Sequence, residues 1–356
     1  MQDVAFRVGV DARPLHEPPC GIRRYLQNLL RALLKLDNAT GYVLFTNRPL
    51  PELSANNEER VQISTLGGSR QALMRPWWEV LTLPRAIRKS SVDLFFSPMG
   101  IVPARCLVPS VVTVHDLAFM KYSGIQPWNY RMYWNWVMKR VPNADAIIAV
   151  SHSTKSDIEQ LLPVQPERVH VIWEGLDESF RSPTTHEERQ SLRIKYGLKG
   201  DFVLFVGTRE PRKNLNTLVK AMSVLNETRT DPVPLILVGP EGWGNQGDPQ
   251  ESGTWVRVLQ PLSDGELKTL YSCATVFAFP SLYEGFGLPL LEAMSCGAAV
   301  IASNVASIPE LAGDSALLVN PTDVAEWTRG LALLLKDGQL RSSLVQKGHS
   351  QVERFA

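Results

Sequence analysis

The chain has 356 residues, 44% of them hydrophobic and 21% charged, which suits two domains of ordinary size and excludes large-scale disorder. A formal charge of +1 excludes the global field of a nucleic-acid binder, so any cationic site must be local. Cys20, Cys106, Cys273 and Cys296 stand singly without metal-ligand spacing, the start "MQDVAFRVGVDARPL" lacks a signal-peptide core, and no apolar run is long enough to span a bilayer; the expected location is the cytoplasm, a reducing compartment.

In chain order, "FRVGV" (Phe6–Val10) reads as a buried strand, and apolar residues then recur at helical spacing from Ile22 to Leu36. Further strands are expected at Tyr42–Phe45, Asp93–Ser97, Ser110–Val114 and Ala146–Ser151. After the polar segment "ESFRSPTTHEERQSLRIKYGLKG", which carries Pro183 and leads into a helix, the pattern restarts. Its strands are Phe202–Gly207, Pro234–Gly239, Trp255–Leu259, Thr275–Phe279, Ala298–Ser303 and Ala316–Val319. This alternation predicts an α/β chain of two doubly wound, Rossmann-like domains with a cleft between them, residues 1–176 and 177–356.

One stretch concentrates chemistry: "PSLYEGFGLPLLEAMSCG", Pro280 to Gly297. A strand runs into a turn, then a helix with Pro289 in its first turn and Gly297 past its end. Leu290, Ala293, Met294 and Gly297 form the core stripe of that helix, whereas Leu288, Glu292 and Ser295 lie on another, so Glu292 is expected off the core face. Glu284 falls at the carboxyl end of the strand, where open α/β sheets bind ligands. Gly285 and Gly287 let the backbone approach a ligand, and the helix start offers free N–H groups to an anion. A phosphate held between two carboxylates that reach hydroxyls is what a sugar nucleotide presents. Two solvated acids beside a plain turn is the competing reading. Gly285-x-Gly287-x-x-Leu290 lacks the third glycine of a dinucleotide fingerprint, and no acid ends the following strand.

With these residues in hand, the chain resembles the retaining glycosyltransferases of family 4, which have the GT-B fold. "EGFGLPLLE" matches their two-glutamate motif, and "GIRRYLQNLLRAL", "VVTVHDLAFM", "ADAIIAVSHSTKSDI", "VIWEGLDESF" and "FVGTREPRKNLNTLVKAM" follow the family in order over nearly the whole chain. The resemblance implies a metal-independent hexosyl transfer, of mannose or glucose type, from a GDP- or UDP-linked donor to a saccharide or lipid-linked acceptor. It needs no cofactor besides that donor substrate, and the lack of an Asp-x-Asp motif in a suitable loop agrees. It places His115, with Asp116 beside it, at the reacting centre, Glu284 on the donor sugar, Glu292 on the ribose and Lys213 on the diphosphate. Gly21 matches the glycine loop facing the phosphates, and Gly285, Phe286, Gly287 and Leu288 belong to the donor loop. Many members carry arginine where this chain has Thr208, leaving Arg209 and Arg212 as alternative partners of the diphosphate. It also implies a last helix after "QVERFA" that crosses back to the first domain.

"RPWWEVLTLPRAIRKS" (Arg75–Ser90) and "QPWNYRMYWNWVMKR" (Gln126–Arg140) mix Trp and Tyr with basic residues. They read either as core-facing helices with basic outer faces or as peripheral contacts with the inner face of a membrane. Two other functions compete with glycosyl transfer: a non-catalytic sugar-nucleotide-binding subunit, and a nucleotide-sugar epimerase or nicotinamide-dependent oxidoreductase.

Overall fold

A computed structural model describes residues 6–17, 21–50, 60–67, 75–104, 106–122, 127–227, 229–244, 253–260 and 262–355. Cys20 and Gln126 lie outside them. The chain forms two compact units, whose main change-over falls between Gly175 and Leu176; Lys121, Tyr122 and Pro127 group with the second unit.

The first unit is a seven-stranded sheet in the order β3-β2-β1-β4-β5-β6-β7, with every pairing parallel. The strands are β1 (Phe6–Asp11), β2 (Thr40–Thr46), β3 (Val61–Thr65), β4 (Leu94–Ser97), β5 (Ser110–Val114), β6 (Ala146–Ala149) and β7 (Val169–Val171). Alternation builds a core on each face. Tyr42, Leu44 and Phe96 pack with Val10 of β1 and with Leu26 and Leu30 of the helix Gly21–Leu36, while Val43, Phe45 and Phe95 pack with Trp78, Leu83 and Ile87 on the other side.

The sequence reading missed β3 and β7, and both are edge strands. β3 alternates polar residues and is nowhere fully buried, and β7 is three residues long. Ser151, read as strand, instead caps the helix His152–Leu161 by accepting from Thr154 N.

The second unit has six parallel strands in the order β10-β9-β8-β11-β12-β13: β8 (Val203–Val206), β9 (Leu235–Val238), β10 (Val256–Leu259), β11 (Val276–Phe279), β12 (Ala299–Ser303) and β13 (Leu317–Val319). Val203, Phe205, Leu235, Leu237, Val276, Ala278 and Ile301 meet the helix Leu215–Glu227 and the buried Trp327. The polar segment after the change-over leads into the helix His186–Lys195, which starts with a reciprocal Thr185–Glu188 capping box. In each sheet the chain reverses its direction of travel once, between β1 and β4 and between β8 and β11. Ligand crevices of doubly wound sheets open beyond the carboxyl ends of such strands.

The aromatic segments divide between core and surface. Trp78 is buried, but Trp77 is 61% exposed and Trp128 70%. Among the described residues no helix is long and apolar enough to cross a membrane. Cys106, Cys273 and Cys296 are free thiols; Cys273 is buried and the other two are half-buried.

Candidate functional site

In the second unit, the segments leaving β8 and β11 meet at the reversal point. β8 passes through Gly207 to Thr208, Arg209 and the 3-10 turn Pro211–Lys213, which Asn214 closes in the left-handed conformation at φ 53°. Its Nδ2 donates to Pro280 O at 3.1 Å and Pro321 O at 2.7 Å, fastening the basic turn to the end of β11. Asn is among the few residues that adopt this conformation readily.

Four charges then interlock. Lys213 Nζ donates to Glu284 Oε1 at 2.6 Å, and Arg212 Nη1 donates to Glu284 Oε2 at 2.7 Å. Arg212 also binds Glu210 (Nη2 to Oε1, 2.7 Å) and donates to Tyr283 O at 2.8 Å. Ser281 Oγ donates to Glu284 Oε1 at 2.6 Å. Glu210, Lys213 and Glu284 are buried. Burial pushes Glu284 up, but Arg212 and Lys213 prevail and hold it at about 2, so it is ionised. Burial also raises Glu210 and lowers Lys213, the latter against the pull of Glu284.

Of the two arginines, Arg212 joins Lys213 and Glu284, whereas Arg209 donates its backbone N–H to Pro240 O at 3.0 Å. Thr208 and Arg209 flank the cluster and are half-buried. A carboxylate has about four lone-pair positions. Lys213 and Ser281 take those of Oε1, and Arg212 takes one on Oε2, which leaves one for a further hydrogen-bond donor.

The helix Leu288–Ser295 follows, with Gly287 at its N-cap and no side-chain cap on its first N–H groups. Gly287 stands at φ 126°, a conformation L side chains rarely adopt; Gly285 shows no positive φ. Phe286 and Leu288 are buried, and Ser307 Oγ donates to the carbonyls of Glu284, at 3.0 Å, and Phe286. Glu292 corrects the sequence reading. It was expected off the core face, yet it is buried, 2% exposed, and accepts from Tyr271 Oη at 3.1 Å. The helix buries Leu288, Leu290, Leu291, Glu292, Ala293 and Met294, so the stripe argument fails where a short helix is covered on more than one side.

In the first unit, His115 directly follows β5, but its partner is not Asp116. Nδ1 lies 2.7 Å from Glu174 Oε1 and Nε2 lies 2.8 Å from Pro98 O, so both ring nitrogens face acceptors. Burial opposes charge on the ring, yet Glu174 and the Pro98 carbonyl raise the pKa above its ordinary value, favouring imidazolium. Asp116 Oδ1 accepts from Ala118 N at 3.0 Å and shapes the turn. Tyr25 packs edge-on against the imidazole at 4.9 Å. Gly21 begins the helix Gly21–Leu36, and a Cβ there would meet nothing within 4 Å. Sequence reasoning missed Glu174, although it stands inside the motif "VIWEGLDESF".

Residues 19–180 match the family model Glycosyltransferase Family 4, and residues 187–351 match Glycosyl transferases group 1. O-antigen chain mannosyltransferase B of Escherichia coli is 30% identical, covering 96% of this chain and 94% of that protein. A sucrose-phosphate synthase structure from Thermosynechococcus elongatus superimposes with a TM-score of 0.76 at 22% identity, covering 98% of this chain and 94% of that one. Anabaena HepE in complex with UDP-glucose superimposes with a TM-score of 0.73 at 18% identity, covering 98% and 94%. Two parallel α/β units of this topology, joined to those matches along nearly the full chain, make this protein a member of the GT-B glycosyltransferases.

Proposed function

We propose that the chain transfers a hexose of the mannose type, with retention and without a metal, from a GDP- or UDP-linked donor to a hydroxyl of a saccharide or lipid-linked acceptor in glycan assembly. The observation that carries this is the Arg212–Lys213–Glu284 cluster beside the uncapped helix start at Gly287. The E. coli relative is a mannosyltransferase, and the fold neighbour HepE was solved with UDP-glucose; both favour this class of chemistry.

In this reading Glu284 spends its remaining lone-pair position on a hydroxyl of the donor sugar. Lys213, Arg212 and the helix start meet the diphosphate. As the bond from the anomeric carbon to the phosphate oxygen breaks, its electron pair stays on the diphosphate, and the preorganised cations lower that barrier. The acceptor oxygen bonds to the face of the carbon that the phosphate leaves, and its proton passes to the departing phosphate oxygen. Glu292, oriented by Tyr271, accepts from the ribose. The role of His115 beside the donor sugar rests on the family resemblance, and an imidazolium there would favour growing negative charge.

Peripheral contact with an anionic membrane belongs to the same proposal. The hydrogen bond from Tyr133 Oη to Glu79 Oε1 (2.6 Å) ties the helix Trp128–Met138 to the turn Trp78–Thr82 within the first unit. Exposed Trp77, Leu81, Trp128 and Met132 occupy these neighbouring segments. Arg85, Arg88, Lys89 and Lys139 are exposed nearby, and the lone acid of the two segments, Glu79, is buried. Trp over acyl boundary and cations over anionic headgroups is the pattern of an interfacial helix.

A thermal-shift screen of GDP-mannose, GDP-glucose, UDP-mannose and UDP-glucose tests the donor. A ligand at 100 times its Kd adds about 2.7 kcal/mol of stability, well above detection. NMR of the product with excess EDTA present tests the rest. The expected product keeps the anomeric configuration of the donor; an inverted product, or activity lost to EDTA and restored by magnesium, would refute the mechanism.

A further inference from the structure

A second cluster lies in the first unit, at the carboxyl end of β1 and beside that sheet's own reversal point. Asp11 ends β1 and is fully buried. It accepts two hydrogen bonds from Arg13, from Nε at 2.9 Å and from Nη2 at 2.6 Å. Arg13 Nη1 reaches Glu79 Oε1 at 3.1 Å, and the guanidinium carbon sits 4.1 Å from the centroid of the Trp78 ring. Tyr133 Oη takes up the same Glu79 Oε1 at 2.6 Å. Trp78 and Glu79 open a π-helical turn, Trp78–Thr82, a rare backbone irregularity that is frequent at functional sites.

Two buried atoms in this cluster have no partner among the described residues: Glu79 Oε2 and Trp78 Nε1. Glu79 is fully buried and Trp78 is 6% exposed. A buried polar atom without a partner is costly, and a native fold keeps one mainly where something else supplies the bond. Here the deficit is one acceptor and one donor, on two side chains that share a single guanidinium. A hydroxyl is the simplest group that can donate to the carboxylate and accept from the indole. Carboxylate, arginine and indole side by side form a chemistry suited to a polyol.

We propose that Arg13, Trp78 and Glu79 form a subsite in the first unit that recognises a hydroxyl of a pyranoside, the acceptor end of the transfer. The inference rests on the proposed function for the identity of that pyranoside. Asp11 and Tyr133 are positioning residues, holding Arg13 and Glu79 in their rotamers. Glu79 Oε2 accepts a hydrogen bond from the hydroxyl, and Trp78 Nε1 donates one to the hydroxyl oxygen. Sites built to bond a hydroxyl discriminate strongly against analogues lacking it, because their own buried groups are then left unpaired.

Saturation-transfer NMR of the full chain with methyl α-mannopyranoside and its four monodeoxy analogues tests this, with GDP and UDP titrations run in parallel. Wild-type protein should bind the parent glycoside and bind one deoxy analogue at least tenfold more weakly. Trp78→Phe keeps an aromatic ring beside Arg13 but loses the N–H together with the second ring of the indole; it and Glu79→Gln should each weaken the parent about tenfold while nucleotide affinity stays within twofold. In Glu79→Gln the deoxy penalty should shrink. If Glu79→Gln fails to fold, Trp78→Phe decides alone. Wild-type binding that is absent, or unchanged in both variants, overturns the proposal and leaves the orphan atoms to an ordered water. Failure of every nucleotide to bind would instead sink the donor reading, whatever the glycoside does.

Discussion

At the scale of the residue, Glu284 and Glu292 are both buried acids but answer to different partners. Glu284 is the counter-charge of Lys213 and Arg212, and Glu292 accepts from the neutral Tyr271. Glu284→Ala releases two cations in a place where a bare nucleoside diphosphate brings its charge. Its affinity for that diphosphate should therefore be retained or tightened, while turnover falls about ten- to a hundredfold, as expected when a hydrogen bond to a charged group worth about 1.5–3 kcal/mol is lost. Glu292→Ala should weaken donor and bare diphosphate alike, by about 1.5–3 kcal/mol, as expected when hydrogen bonds to a charged group are removed. Calorimetry of the two variants with diphosphate and with intact donor is the check. Equal weakening of the bare diphosphate in both would show that the donor lies differently. The charges themselves were legible in the motifs "EGFGLPLLE" and "GTREPRKN". That Lys213 and Glu284 are one ion pair was not, because two positions 71 apart in the chain carry no local sign of the contact.

At the scale of the element, the helix Leu288–Ser295 and its N-cap form the most exacting piece of the second unit. A Cβ on Gly287 would meet Phe279 Cε1 at 3.5 Å and Leu311 Cδ2 at 3.6 Å, ordinary contacts, so space is not the obstacle. The φ of 126° is. Gly287→Ala should cost about 1–3 kcal/mol of stability from backbone strain alone. It should also raise the donor KM, because relief of that strain swings the first N–H groups away from the diphosphate. Urea unfolding and donor kinetics on the same variant measure both; an unchanged KM would show that the helix start does not hold the donor.

The aromatic elements of the first unit carry a different prediction. Co-sedimentation with vesicles of one-third phosphatidylglycerol in phosphatidylcholine should capture the protein, and pure phosphatidylcholine should not. Trp77→Ala with Trp128→Ala should lose at least tenfold in partitioning, and Arg85→Glu with Lys89→Glu should abolish the preference for anionic lipid. Salt-insensitive binding, or none to either vesicle, would refute the membrane contact. The sequence offered two readings of these segments, core helix or surface helix. The core-facing reading holds for Trp78, Leu83 and Ile87, whereas Trp77 and Leu81 are exposed.

At the scale of the whole molecule, the sequence by itself determined two repeating βα patterns, the strands buried on both faces, and the two-glutamate motif "EGFGLPLLE" at the end of one of them. Such signals are local. An apolar run of strand length, a glycine ahead of a helix and a polar break between patterns are each set by neighbouring residues. Strands β3 and β7 escaped because an edge strand buries too little to leave an apolar run, and Glu292 was misplaced because periodicity tells which residues share a face but not how many faces are covered. Only the tertiary structure decided which distant groups share a charge or a proton. It brought Glu174 to His115 across 59 residues and Glu79 to Arg13 across 66. The physical reason is that a parallel sheet orders its strands by packing rather than by sequence. The side chains that meet at its carboxyl edge are therefore chosen by strand order, and a buried charge must find its partner there or remain uncompensated.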